Sequence, residues 1–207
     1  MSTKTIKAIL FDLGNVLIKL DFEAVEKGYA AFCKLKPGEM INHIVESDLM
    51  NRYMEGKLNS HQFFRKTKNL FSMDIGLTEF YRIWNSMFHP YPEMEALIVS
   101  IREKYPEIKM ILVSNTNEAH YEFIKEEFSV LKLLDKFLVS HEFGVQKPDP
   151  AIYKEALRLA GTLPKETFYA DDRPDLIEAA RIMGIRAFLF TTHEELRAQL
   201  AKCGIVV

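Results

Sequence analysis

The chain has 207 residues, 48% of them hydrophobic, with a formal net charge of −2. That length suits one large domain or a domain carrying an inserted module, with apolar residues enough for a sizeable core. The near-neutral charge gives no basis for nucleic acid or an anionic membrane surface as a partner.

Two cysteines, Cys33 and Cys203, lie far apart in a chain with no secretory look, which favours reduced thiols over a disulfide. Lys4 and Lys7 precede an apolar run, but the run stops at Asp12, too short for a signal peptide or a membrane span. A soluble, cytoplasmic protein is the expectation. No internal repeat or low-complexity tract interrupts the sequence.

Ala8 to Phe11 is a run without a polar residue, ending at Asp12 and followed by Leu13-Gly14-Asn15-Val16. It predicts a strand buried on both faces, with Asp12 where the strand leaves the sheet. Val16-Leu17-Ile18 continues apolar, and Asp21 opens a helix bearing Phe22, Val25, Tyr29 and Phe32, ended by Pro37-Gly38. Residues 38–90 then read as successive helices. Met40, Ile41, Ile44 and Val45 form one stripe, and Ser60 is placed as the N-cap of a helix carrying Phe63, Phe64 and Leu70. Thr78 is placed as the cap of the next, whose apolar face is Phe80, Ile83, Trp84, Met87 and Phe88. No strand is expected between Asp21 and Tyr91.

From Pro92 the rhythm changes. A helix through Met94, Leu97, Ile98 and Ile101 leads to a strand at 109–113, a helix near 118–128 and a short strand at 137–139. Asp149-Pro150 starts a helix that Gly161 ends. A strand at 167–170, a helix from Pro174 to Met183 closed by Gly184, and a last strand at 186–190 follow. Thr192 and Glu195 form a capping box for a final helix ending at Gly204. Alternating strands and helices imply an α/β fold, a Rossmann-like parallel sheet with helices on both faces. An inserted helical module interrupts it between the first and second strands. The expected division is a core of residues 1–18 and 91–207 and a helical module of 19–90.

Four strand ends carry polar groups. Each has a plain reading when taken alone: Asp12 as a turn residue, Ser114-Asn115-Thr116-Asn117 as helix capping, Lys147 as a solvated lysine, and one of Asp171-Asp172 as a cap for the helix at Pro174. Pro148 and Pro150 stiffen the segment holding Lys147. Taken together, the four lie on one edge of one sheet, where open α/β sheets bind ligands. Such a set has a mechanism: a carboxylate attacks phosphorus, Mg²⁺ held by carboxylates neutralises charge, and a lysine and helix-start N–H groups hold phosphate oxygens.

Phe11-Asp12-Leu13-Gly14-Asn15-Val16, Val113-Ser114-Asn115, Lys147-Pro148 and Asp171-Asp172, in that order, resemble the motifs of the haloacid dehalogenase-like hydrolase superfamily, from about residue 6 to 190. The wording looks most like its sugar-1-phosphate phosphatase branch, with an α-helical cap. The resemblance implies a strand order that puts the Asp12 strand between those ending at Ser114 and Asp172. It implies Asp12 as nucleophile and metal ligand, Asp172 and the Gly14 carbonyl as further Mg²⁺ ligands, and Asp171 as a ligand directly or through water. Leu13, Gly14, Ser114, Asn115 and Lys147 would bind the phosphoryl group, Lys147 with a catalytic role.

Gly14 departs from the family pattern, which usually has a second Asp there as general acid and base, and Leu176 stands where many members have an acidic or amide residue. His43, His61 or His89 could supply the acid, water could serve, or the substrate could leave easily. The leading expectation is an Mg²⁺-dependent phosphatase acting on a small phosphate ester, such as a sugar phosphate. The alternatives are a 2-haloacid dehalogenase and a non-catalytic member binding a phospholigand or a protein. Substrate choice is expected in the cap, with Phe63, Phe64, Trp84, Phe88, Tyr53 and Arg52 as candidate lining residues. The sequence leaves the oligomeric state open.

Overall fold

The structure, a computed structural model, describes residues 5–33, 39, 43–44 and 47–207. Pro37-Gly38 and Met40, Ile41 and Val45 of the expected stripe lie outside the described residues; Ile44 is buried.

In chain order, β1 (Ala8–Phe11) is followed by the two-residue β2 (Lys19–Leu20), then α1 (Phe22–Tyr29), α2 (Leu49–Met54), α3 (Ser60–Leu70) and α4 (Leu77–Trp84). A single 3-10 turn leads to β3 (Phe88–His89). The remainder alternates: α5 (Pro92–Lys104), β4 (Lys109–Ser114), α6 (Glu118–Glu127), β5 (Lys136–Val139), α7 (Ser140–Phe143), α8 (Pro150–Ala160), β6 (Thr167–Asp171), α9 (Pro174–Ile182), β7 (Arg186–Leu189) and α10 (His193–Lys202).

The main sheet has five parallel strands in the order β5-β4-β1-β6-β7. As expected, the Asp12 strand lies between those ending at Ser114 and Asp171-Asp172. All four residues of β1 are fully buried, and they alternate between two cores. Ile9 and Phe11 join Met110, Leu112 and Phe168 under α5, α6 and α10, whereas Ala8 and Leu10 join Ile111, Val113 and Tyr169 under α8 and α9. This alternation is the strand period of two applied to a sheet covered on both faces.

The helices between β1 and α5 bury a third cluster of their own, including Val25, Tyr29, Phe63, Phe80, Ile83 and Trp84. Phe63 stacks on Tyr53 at 4.3 Å between ring centroids, and Phe80 stacks on Trp84 at 6.1 Å. Fully buried aromatic rings of this size account for much of the stability of so small a helical layer.

Local chemistry differs from expectation in three places. The cap of α3 is Asn59, in a reciprocal capping box with Gln62, because Ser60 turns its N–H and hydroxyl to Glu118 of α6 instead. The cap of α4 is Gly76, without a side-chain bond, and Thr78 is an exposed residue of its first turn. One antiparallel pair, Lys19–Leu20 with Phe88–His89, joins the start and the end of the helical layer. Two residues per strand are too few to register as a period. The capping of α1 by Asp21 and of α8 by Asp149, and the left-handed Gly161 and Gly184, are as the sequence indicates. Among the described residues, no helix is long and apolar enough to cross a membrane.

Candidate active site

β1 delivers Asp12 to the carboxyl edge of the sheet, where its backbone N–H donates to Ala170 of β6 at 3.0 Å. Lys147 reaches the same point from the loop before α8. Its Nζ donates to Asp12 Oδ1 at 2.6 Å and to Asp171 Oδ2 at 2.7 Å. Its side chain is only 1% exposed, so the solvated-lysine reading is excluded. Burial alone pulls the Lys147 ammonium down, but Asp12 and Asp171 more than offset this and its pKa rises. Burial pushes the Asp12 carboxyl up to about 6; Lys147 opposes the shift, Asp171 adds to it, and the Leu13 N–H opposes it.

Lys147 is held by Asn115, whose side chain accepts from the Lys147 N–H at 2.8 Å and donates to its carbonyl at 2.9 Å. The Asn115 side chain is thereby committed to positioning the lysine loop, which refines its expected place on a phosphoryl group. Ser114 is buried at the end of β4.

The two adjacent carboxylates divide their work. Asp171, fully buried, accepts from Lys147, from the Tyr169 hydroxyl and from the Arg173 N–H at 2.9 Å. Asp172 is partly exposed and accepts from Asn15 Nδ2 at 2.9 Å. Neither carboxylate caps α9, whose N-cap is Arg173 without a side-chain bond. Asn15 adopts a left-handed backbone, φ 56°, just beyond Gly14, which turns its amide toward Asp172.

Asp12, Asp171 and Asp172 each offer an oxygen within 4.8 Å of the others. Three carboxylates face a single ammonium there, and the donors are hard oxygens. The residues therefore fit a hard divalent cation such as Mg²⁺. Leu176 cannot contribute a side-chain ligand; it is buried, and its carbonyl accepts from Tyr153.

The remaining candidates separate clearly. His43, His61 and His89 are exposed, and none lines the cavities beside the cluster. Phe63 is core of the helical layer and Phe64 packs against it, whereas Trp84 and Phe88 also wall a cavity beside Gly14. Tyr53 is buried, its hydroxyl accepting from the Ala119 N–H at 3.2 Å, and Arg52 is exposed. Cys33 and Cys203 are free thiols.

Tyr169 and Asn15 were missed by sequence reasoning. Tyr169 stands two residues before Asp171 on the same strand, hence on the same face, a signal a period-two reading could have used.

Residues 6–184 match the model of the family described as haloacid dehalogenase-like hydrolase. The D-ribitol-5-phosphate phosphatase of Bacteroides thetaiotaomicron is 26% identical over 194 residues, covering 88% of this chain and 91% of its own. A sesquiterpene phosphatase of Aspergillus oryzae is 22% identical, covering 96% of this chain and 98% of its own. Among solved structures, a HAD family enzyme of B. thetaiotaomicron superposes with a TM-score of 0.84 at 26% identity, over 95% of this chain and 99% of that one. The same enzyme has been crystallised with magnesium and inorganic phosphate. The match spans the four motifs and all but the last strand of the sheet, and the chain is a haloacid dehalogenase-like hydrolase of the phosphatase branch.

Proposed function

We propose that the chain hydrolyses the phosphate monoester of a small metabolite in two displacements, with Asp12 as the nucleophile. The observation that carries this reading is the contact of Lys147 with both Asp12 and Asp171, at the edge where Asp172 also stands. The magnesium and phosphate bound by the B. thetaiotaomicron enzyme support it.

In the first displacement an Asp12 oxygen bonds to phosphorus and the ester P–O bond breaks. The electron pair leaves on the alcohol oxygen, which takes a proton from water, since Gly14 has no side chain to give one. In the second, water attacks phosphorus, the acyl-phosphate bond breaks and the Asp12 carboxylate returns as the water loses its protons to the phosphate and the solvent. Asp12, Asp172 and the Gly14 carbonyl are the residues that would hold Mg²⁺, with Asp171 chiefly positioning Lys147. When bound there, Mg²⁺ supplies the positive charge that lets an anionic carboxylate approach an anionic phosphoryl group. Lys147 supplies a second, fixed positive charge, already placed and needing no reorganisation.

The domain division proposed is a core of residues 1–18 and 91–207 under a cap of 19–90. The cap contacts the core through Ser60 on Glu118, Tyr53 on Ala119 and Ser140 on Met54.

Phosphate release from a panel of phosphometabolites, with Mg²⁺ and with EDTA, tests this reading. Release that requires Mg²⁺ and disappears in a folded Asp12→Asn variant is the expected result. Turnover of 2-haloacids unaffected by EDTA would instead identify a dehalogenase, and ligand binding without any release would identify a non-catalytic member.

A further inference from the structure

Two cavities adjoin the cluster, and they differ in chemistry. One, of about 580 Å³, is lined by charged and polar groups including Lys147, Asn115, Arg173, Glu55 and Lys57. The other, of about 130 Å³, reaches Gly14, Ser114 and Asn115 on the core side, and its cap side is hydrocarbon and sulfur: Leu20, Met50, Met54, Trp84, Met87 and Phe88. Phe22, 49% exposed, also lines it.

Among the described residues, no acidic or basic side chain lines this smaller chamber except His120, and His120 is neutral. Burial pushes its pKa down to about 3. Its Nδ1 lies 3.0 Å from Asn117 Nδ2, and its ring stacks on Trp84 at 5.1 Å. The position of the missing second Asp belongs to the same wall. A Cβ built on Gly14 would stand 2.7 Å from Leu20 Cδ1, so Leu20 fills the space that a side chain there would take.

We propose that this chamber takes the organic group of the ester, and that the group is apolar and of about five or six carbons, the size of an isoprene unit or a phenyl ring. This rests on the phosphatase reading above. The volume is close to that of dry apolar protein cavities that accept benzene. The chamber adjoins the residues that would hold the phosphoryl group, so one molecule can occupy both. Methionines and aromatic rings grip an apolar group closely, whereas the hydroxyls of a polyol would lose water there and find few partners. Leu20 in place of an acid extends the apolar surface up to the scissile oxygen.

The test compares 3-methylbutyl phosphate with glycerol 1-phosphate and D-ribitol 5-phosphate, alkyl esters of similar leaving ability, with acetyl phosphate as a probe of the chemistry alone. The inference predicts kcat/KM about 10–100-fold higher for 3-methylbutyl phosphate than for either polyol ester. Met87→Gln should reduce that ratio severalfold and Met87→Leu should restore it. Acetyl phosphate cleaved while the polyol esters equal or exceed 3-methylbutyl phosphate would overturn the inference and leave the phosphatase reading standing. A ratio unmoved by Met87→Gln would overturn the assignment of the chamber. Failure to cleave acetyl phosphate or any ester would remove the phosphatase reading, and the inference with it.

Discussion

The edge of the sheet and the helical layer above it are built on opposite principles. At the sheet edge the charged groups are tied: buried Lys147 to two carboxylates, buried Asp171 to three donors, and the partly exposed Asp172 to Asn15. In the helical layer, aromatic and sulfur-bearing side chains form both the core and the chamber wall, and only a few polar contacts join it to the sheet domain. A charge cluster requires fixed geometry because unpaired buried charge is costly. An apolar wall needs only shape, and shape can be changed by substitution without unbalancing any charge. On the function proposed above, the chemistry is assigned to the sheet edge and the selectivity to the helix faces.

The largest expected effect breaks the sheet-edge half of this contrast. Lys147→Met removes the ammonium bonded to both Asp12 and Asp171 and should destabilise the fold by roughly 3–5 kcal/mol, as loss of one partner of a buried ion pair does. Urea denaturation measures it, and phosphate release should be lost in the protein that remains folded.

Acid acts where α6 of the sheet domain meets the helical layer, at His120. His120 has a folded pKa of about 3 against an ordinary 6.5. Above pH 6.5 both states are neutral, and stability falls as pH drops from 6.5 toward 3, because only the unfolded chain takes up the proton. The full loss is on the order of 3–5 kcal/mol. The difference in stability between the wild type and His120→Phe, followed by denaturation from pH 7 to pH 4, should change in favour of the variant as pH falls. A difference independent of pH would show that His120 is not buried neutral.

Tyr169→Phe is smaller. It withdraws one hydroxyl from a charged acceptor, a loss of about 1.5–3 kcal/mol. It should slow phosphate release with little change in KM, since Tyr169 reaches the reaction only through Asp171 and Lys147.

The smallest effect is at the junction of the two regions. Glu118 accepts from the Ser60 N–H at 2.8 Å and hydroxyl at 2.5 Å, and those bonds hold its carboxyl below the usual range. Glu118→Gln should destabilise the chain by about 1 kcal/mol. Hydrogen exchange at α3 should speed up more than exchange in β1.

The sheet was legible because its strands are short, mostly apolar runs, and β1 consists of four apolar residues, Ala8 to Phe11. The site was legible where local structure left a residue unexplained, as with Lys147 just before the prolines at 148 and 150 and with Asp171-Asp172, more carboxylate than one helix start requires. Asn15 was hidden because its role depends on a left-handed turn, and Tyr169 because a buried tyrosine in a strand has an ordinary core explanation. Of the chamber wall, only Trp84 and Phe88 were among the expected lining residues. Leu20, Met54, Met87 and His120 are distant in sequence, and nothing local to any one of them points to the others. The expected Ser60 cap failed for a related reason: its hydroxyl is claimed by Glu118, 58 positions away.

The central claim is that Asp12 becomes covalently phosphorylated. Rapid quenching during turnover, borohydride reduction of the acyl phosphate and peptide mass spectrometry read that species directly. The predicted result is reduction of Asp12 to homoserine only when substrate and Mg²⁺ are both present. Steady phosphate release with Asp12 unmodified, or a fully active Asp12→Asn enzyme, would contradict it.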